Sequence, residues 1–182
     1  MSSRMAEIFA YNEAFVENKG YEEYLTNKLP DKKLAILSCM DTRLTELLPA
    51  ALGLRNGDAK LIKNAGGTIT HPFGSVMRSL LVCIYEMGVE EIAVVGHYDC
   101  GMLGFDPTAM MEKMVARGIP RERLAMLKYC GVNLDTWLMG FQSVQASVQD
   151  TVTLIRQHPL VPEDVKIHGL LIDPVTGRLS RV

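Results

Sequence analysis

The sequence is short of several things, and each shortage narrows what the chain can be. It has little surplus charge: 19 Lys and Arg against 21 Asp and Glu leave −2 over 182 residues. Nucleic-acid binders usually show a basic excess, so no nucleic-acid partner is expected. It lacks long apolar runs, and nothing approaches the roughly 18 residues that a membrane span needs. Its N-terminal stretch, MSSRMAEIFAYNEAFVENKGYEEY, has no apolar block of the kind a signal peptide carries. The expectation is a cytoplasmic protein with no membrane partner. Repeats, low-complexity tracts and long linkers are missing too, so residues 1–182 read as a single domain. Four cysteines are present, but no C-x-x-C pair of the thioredoxin type. In a reducing compartment such cysteines serve more often as metal ligands, nucleophiles or core groups than as disulfides.

What is present is an alternation of strand and helix. Four short apolar runs read as buried strands: 34–37, 59–62, 92–95 and 167–172. Ile8, Tyr11 and Phe15 form an apolar stripe in an N-terminal helical arm of about residues 1–30. Residues 75–87 read as a helix that stops at Gly88. Residues 107–131 read as one or two helices broken by Gly118 and Pro120. Trp137, Phe141, Val144, Val148, Val152 and Ile155 suggest one long helical stripe, and Asp173 to Gly177 a turn. The fold class is therefore α/β, with a central, mostly parallel sheet flanked by helices. Such sheets bind ligands beyond the carboxyl ends of their strands.

Those ends hold the reactive residues. The first strand runs into Cys39-Met40-Asp41-Thr42-Arg43, the second into Asn64-Ala65-Gly66-Gly67, and the third into His97-Tyr98-Asp99-Cys100-Gly101. Cys39, His97 and Cys100 are of the right types to hold zinc, and three ligands leave one tetrahedral position open, as catalytic sites do. An isolated H-x-x-C is common by chance, and a buried cysteine is usually a small hydrophobe. Placement at the ends of neighbouring strands is what raises the reading above chance. The Cys–Arg spacing is too short for a cysteine phosphatase loop, and G-x-S-x-G and the phosphate-binding glycine motifs are absent.

C-x-D-x-R after one strand, a glycine loop, and H-x-x-C after another resemble the β-class carbonic anhydrases, chiefly over residues 30–102 and most nearly the compact bacterial and archaeal type. The resemblance implies Zn2+ on Cys39, His97 and Cys100, and an Asp41–Arg43 dyad beside it. It implies reversible hydration of carbon dioxide to bicarbonate and a proton by a zinc-activated water. It also implies a homodimer or higher homo-oligomer, with the N-terminal arm lying over the partner subunit.

On that reading Arg43 holds Asp41 off the metal; released, Asp41 could become a fourth ligand and close the site. Gly66 and Gly67 would let the backbone pass close to the substrate pocket. Asp99 reads as a capping or supporting residue, and Gly101 as the start of a helix facing the site. Zinc with two thiolates has little net charge, so activity should rise on the alkaline side of neutrality. His71, His158 and His168 are candidate proton carriers, with His71 foremost. Cys83 and Cys130 read as core or partly buried thiols, and the 11 methionines as core filler. Two other functions use the same residues: hydrolysis of a related small molecule such as carbon disulfide, and zinc binding without turnover.

Overall fold

The computed structural model describes residues 3–182. The first two residues of the expected arm lie outside it. The chain runs α1 (Arg4–Glu17), β1 (Leu34–Cys39), α2 (Leu44–Ala51), β2 (Ala59–Asn64), α3 (Ser75–Met87) and β3 (Glu91–His97). It continues through α4 (Pro107–Ala116), α5 (Arg121–Tyr129), α6 (Leu134–Trp137), α7 (Val144–Arg156), β4 (Lys166–Ile172) and β5 (Leu179–Arg181). The strands form one sheet in the order β2-β1-β3-β4-β5. β2, β1, β3 and β4 are parallel, and β5 is antiparallel to β4.

β1 and β3 are central and covered on both faces, which is why they read as unbroken apolar runs. Alternate residues point to opposite sides. Ala35, Leu37, Ile92 and Val94 pack under α3 and α7 with Met77, Leu80, Val148 and Ile155. Ile36, Ala93 and Val95 pack on the other face with Leu44 and Leu48 of α2. α7 is capped by Ser143, whose hydroxyl accepts a hydrogen bond from the Ala146 amide. α3 ends at Gly88 as the sequence suggests.

Several expectations change. β2 is an edge strand and not a buried one, with Leu61 exposed. β5 was not anticipated; its three residues are too few to show a period. The stripe from Trp137 to Ile155 is not one helix. Trp137 ends α6 and is exposed, Phe141 bridges to Leu103, and α7 begins only at Val144. Gly101 opens no helix; the next one starts at Pro107, capped by the Asp106 carboxylate. Cys83 is buried, but Cys130 is exposed at the end of α5. Met77 is core, whereas Met5, Met40, Met126 and Met139 are exposed, so the methionines are not simply filler.

Candidate metal centre

Parallel register brings the motifs together. β1 lies between β2 and β3, with Cys39 opposite Asn64 and Ser38 opposite Val95. Cys39 and His97 are the last residues of their strands, so the sheet itself aims them. Cys100 follows in the loop after β3. All three are buried: 5% exposed for each cysteine and 0% for His97. Their ligand atoms lie within 4.8 Å of one another.

The donor set fits zinc. The two sulfurs are 3.9 Å apart, and two thiolates bound to one zinc at about 2.3 Å in a tetrahedron would lie about 3.8 Å apart. His97 Nδ1 lies 2.8 Å from the Tyr98 carbonyl oxygen, and a proton there leaves Nε2 with its lone pair free. Nε2 is buried and has no hydrogen-bond partner among the described residues. An orphaned buried nitrogen is costly in a folded chain unless something takes its lone pair.

Electrostatics around the sulfurs favour a thiolate at one position. Burial pushes the Cys39 thiol up, but the His97 imidazole and the backbone amides of Gly66 and Asp41 override it, bringing it down to about 7. Burial raises the Cys100 thiol despite the Met102 amide, and Cys39 raises it further. Burial pushes the His97 imidazole down, yet Cys39 and the Tyr98 carbonyl leave it raised on balance.

Beside this cluster Asp41 and Arg43 form a two-pronged pair. Arg43 Nε donates to Asp41 Oδ1 at 3.0 Å, and Nη2 donates to Oδ2 at 2.8 Å. The Arg43 amide also donates to Oδ1, at 2.9 Å. Held this way, the Asp41 carboxyl falls to about 2. Its Oδ2 stands 3.8 Å from His97 Nε2, beside the cluster but not within hydrogen-bond reach.

The two glycines have a steric reason. A Cβ on Gly67 would fall 2.8 Å from the Cys39 nitrogen and 2.9 Å from the Ser38 carbonyl carbon, and φ there is +65°. The glycine loop thus passes directly over the end of β1. Gly66, at φ +84°, faces Phe141 and Met102.

These two side chains, with Met40, Phe105, Met110 and Trp137, line a mostly apolar cavity of about 660 Å³. The sequence reading left the pocket wall unassigned. Its signal lay in the apolar neighbours of the ligands, Met40 and Met102. It also missed Lys63, whose Nζ donates to the Leu44 carbonyl at the start of α2. Burial lowers the Lys63 ammonium, against the charges of Cys39 and Asp41.

None of the remaining histidines lines this cavity. His71 is exposed and accepts from the Phe73 amide. His158 is buried against Phe73. His168 pairs with Glu91.

The comparisons agree with the geometry. A family profile described as carbonic anhydrase matches residues 34–179. The protein named "Putative carbonic anhydrase YtiB" of Bacillus subtilis (strain 168) is 56% identical over 99% of this chain and 96% of its own. The β-carbonic anhydrase isoform I structure from Trichomonas vaginalis superposes with a TM-score of 0.90 at 36% identity, over 99% of this chain and 97% of that one. A carbon disulfide hydrolase from Acidithiobacillus thiooxidans is 31% identical over 82% of this chain and 76% of its own. A buried Cys-His-Cys set with an Asp–Arg pair beside it, on this sheet and with these relatives, leaves one conclusion: the chain belongs to the β-carbonic anhydrase family.

Proposed function

We propose that the chain hydrates carbon dioxide reversibly to bicarbonate and a proton, with zinc held by Cys39, His97 and Cys100. The observation that carries the reading is the position of Asp41: ionised, pinned by Arg43, and 3.8 Å from the free nitrogen of His97. Zinc held there would supply Lewis acidity to a water in the fourth position.

The protein's own residues do the rest. Asp41 Oδ2 accepts a hydrogen bond from the attacking water and so orients it. Arg43 keeps that carboxylate ionised and in place. The mostly apolar cavity walled by Met40, Met102 and Phe141 suits a small uncharged molecule. Gly66 packs against the Met102 and Phe141 side chains that wall this cavity, and Gly67 lies over the end of β1; both would serve substrate binding only by letting the loop pass this close.

A homodimer or larger homo-oligomer belongs to the same reading. α1 buries none of its 14 residues, and Ile8 and Tyr11 are 56% and 74% exposed. An isolated helix of that length is marginal in water, so a second copy is the natural cover.

Zinc analysis with stopped-flow hydration of carbon dioxide tests the proposal. Near one zinc per chain and a hydration rate that climbs between about pH 6 and 9 are expected. Asp41 is ionised throughout that range, so such a rise would not come from its own titration. Zinc without hydration would leave zinc binding without turnover and the second reading, hydrolysis of carbon disulfide. That reading draws on the same apolar cavity and on the 31% identical hydrolase. No zinc would sink both.

A further inference from the structure

We propose that Asp99 is a positioning residue of the site: it anchors Arg43 from the opposite loop and so fixes where Arg43 can hold Asp41. Arg43 Nη1 donates to Asp99 Oδ2 at 2.9 Å, and Nη2 donates to the Asp99 carbonyl at 2.9 Å. The same guanidinium holds Asp41 through Nε and Nη2. One planar cation therefore joins the loop after β1 to the loop after β3, linking residues 56 apart. Each of those loops leads to ligands, Cys39 on one side and His97 and Cys100 on the other.

The geometry gives this second contact a purpose. A guanidinium bound only to Asp41 could travel with it. The pair could then drift towards the cluster without breaking either of its own bonds. With Asp99 attached, the same movement costs two further hydrogen bonds. Asp99 thus turns a mobile ion pair into a fixed one.

The backbone supports the assignment. Asp99 sits at φ +54°, one of three non-glycine residues among those described with positive φ. Asp and Asn tolerate that region better than most residues. The conformation presents both the carbonyl and the carboxylate of Asp99 to Arg43. The Asp99 side chain is 86% exposed, so its charge is well screened and a modest effect is expected.

The inference rests on the proposed hydration, and its test separates the two. Asp99→Gly removes the carboxylate, suits the positive φ and keeps the carbonyl. Asp99→Asn keeps an acceptor for Nη1. Exchange of the Arg43 side-chain protons is measured by NMR in the zinc-loaded protein, alongside the hydration rate and zinc content. In Asp99→Gly, exchange should quicken and hydration should slow, each by about 3- to 10-fold, with zinc retained. Asp99→Asn should restore both to within about twofold of the parent. Parental exchange in Asp99→Gly would overturn the anchor. Faster exchange with an unchanged rate would overturn its role in positioning, and so would failure of Asn to restore. If the parent does not hydrate carbon dioxide, the function proposal fails, and the exchange measurement alone decides the anchor.

Discussion

The strand-end cluster and the N-terminal helix are opposite kinds of structure. Cys39, His97 and Cys100 come from distant points of the chain, yet the register of β1 and β3 leaves them little freedom. The backbone amides of Gly66, Asp41 and Met102 lower the thiols they face. α1 is local and continuous, and its hydroxyl cap at Ser3 is sound, but among the described residues none of its own is buried, and only Phe15 is half-buried, against Tyr24. The cluster is over-determined by one copy of the chain; the helix is under-determined by it. Chemistry that needs atoms held to a fraction of an ångström belongs on the first kind of element, and the proposed association between copies falls to the second.

The sharpest way to break the contrast is to remove a ligand. Cys39→Ser or His97→Ala should abolish zinc binding and cut hydration at least about a thousandfold, read by metal analysis and stopped flow. Zinc at parental levels in either variant would mean the cluster is not the metal centre.

Next comes the loop that braces it. Gly67→Ala sets a methyl group against the Cys39 nitrogen at a positive φ. It should cost about 2–4 kcal/mol in urea unfolding of the metal-free protein, and weaken zinc as well. A change within about 0.5 kcal/mol would show that the loop yields easily.

Arg43→Ala is smaller in effect and more selective. Hydration should fall about 10- to 100-fold while zinc stays bound. Full activity would remove the dyad from the mechanism. The acid limb of stability gives a second reading. The Asp41 carboxyl is held near 2 in the folded chain, below its ordinary 3.8. The unfolded state therefore takes up that proton first as the pH falls. The stabilisation is complete above about pH 4 and drains away towards about pH 2. Arg43→Ala lacks that contribution, so its unfolding midpoint should vary less with pH across this interval.

The same contrast explains what could be read from sequence alone. Cys39, Asp41, Arg43, His97 and Cys100 were legible because fixed spacings at strand ends leave few geometries open. The sheet was legible because buried parallel strands are apolar throughout. The stripe through Trp137 misled because its spacing is helical although Phe141 breaks away to bridge Leu103. The link between Arg43 and Asp99 was hidden because it joins two loops that only the sheet brings together. Cys130 was misplaced because apolar neighbours in sequence are not neighbours in space.

The arm carries the smallest expected effect on the protomer itself. Ile8→Ser combined with Tyr11→Ser removes two apolar groups that are 56% and 74% exposed in their own copy. Zinc content should stay at the parental level, and the unfolding free energy of the separated protomer should stay within about 0.5 kcal/mol. Sedimentation should instead show the assembly dissociating at concentrations lower than the parent tolerates, by about tenfold or more in dissociation constant. An assembly unchanged in the double variant would free α1 from any part in association. Loss of zinc would carry further, because it would mean that the exposed helix helps to determine the buried cluster, and that the two regions are not independent.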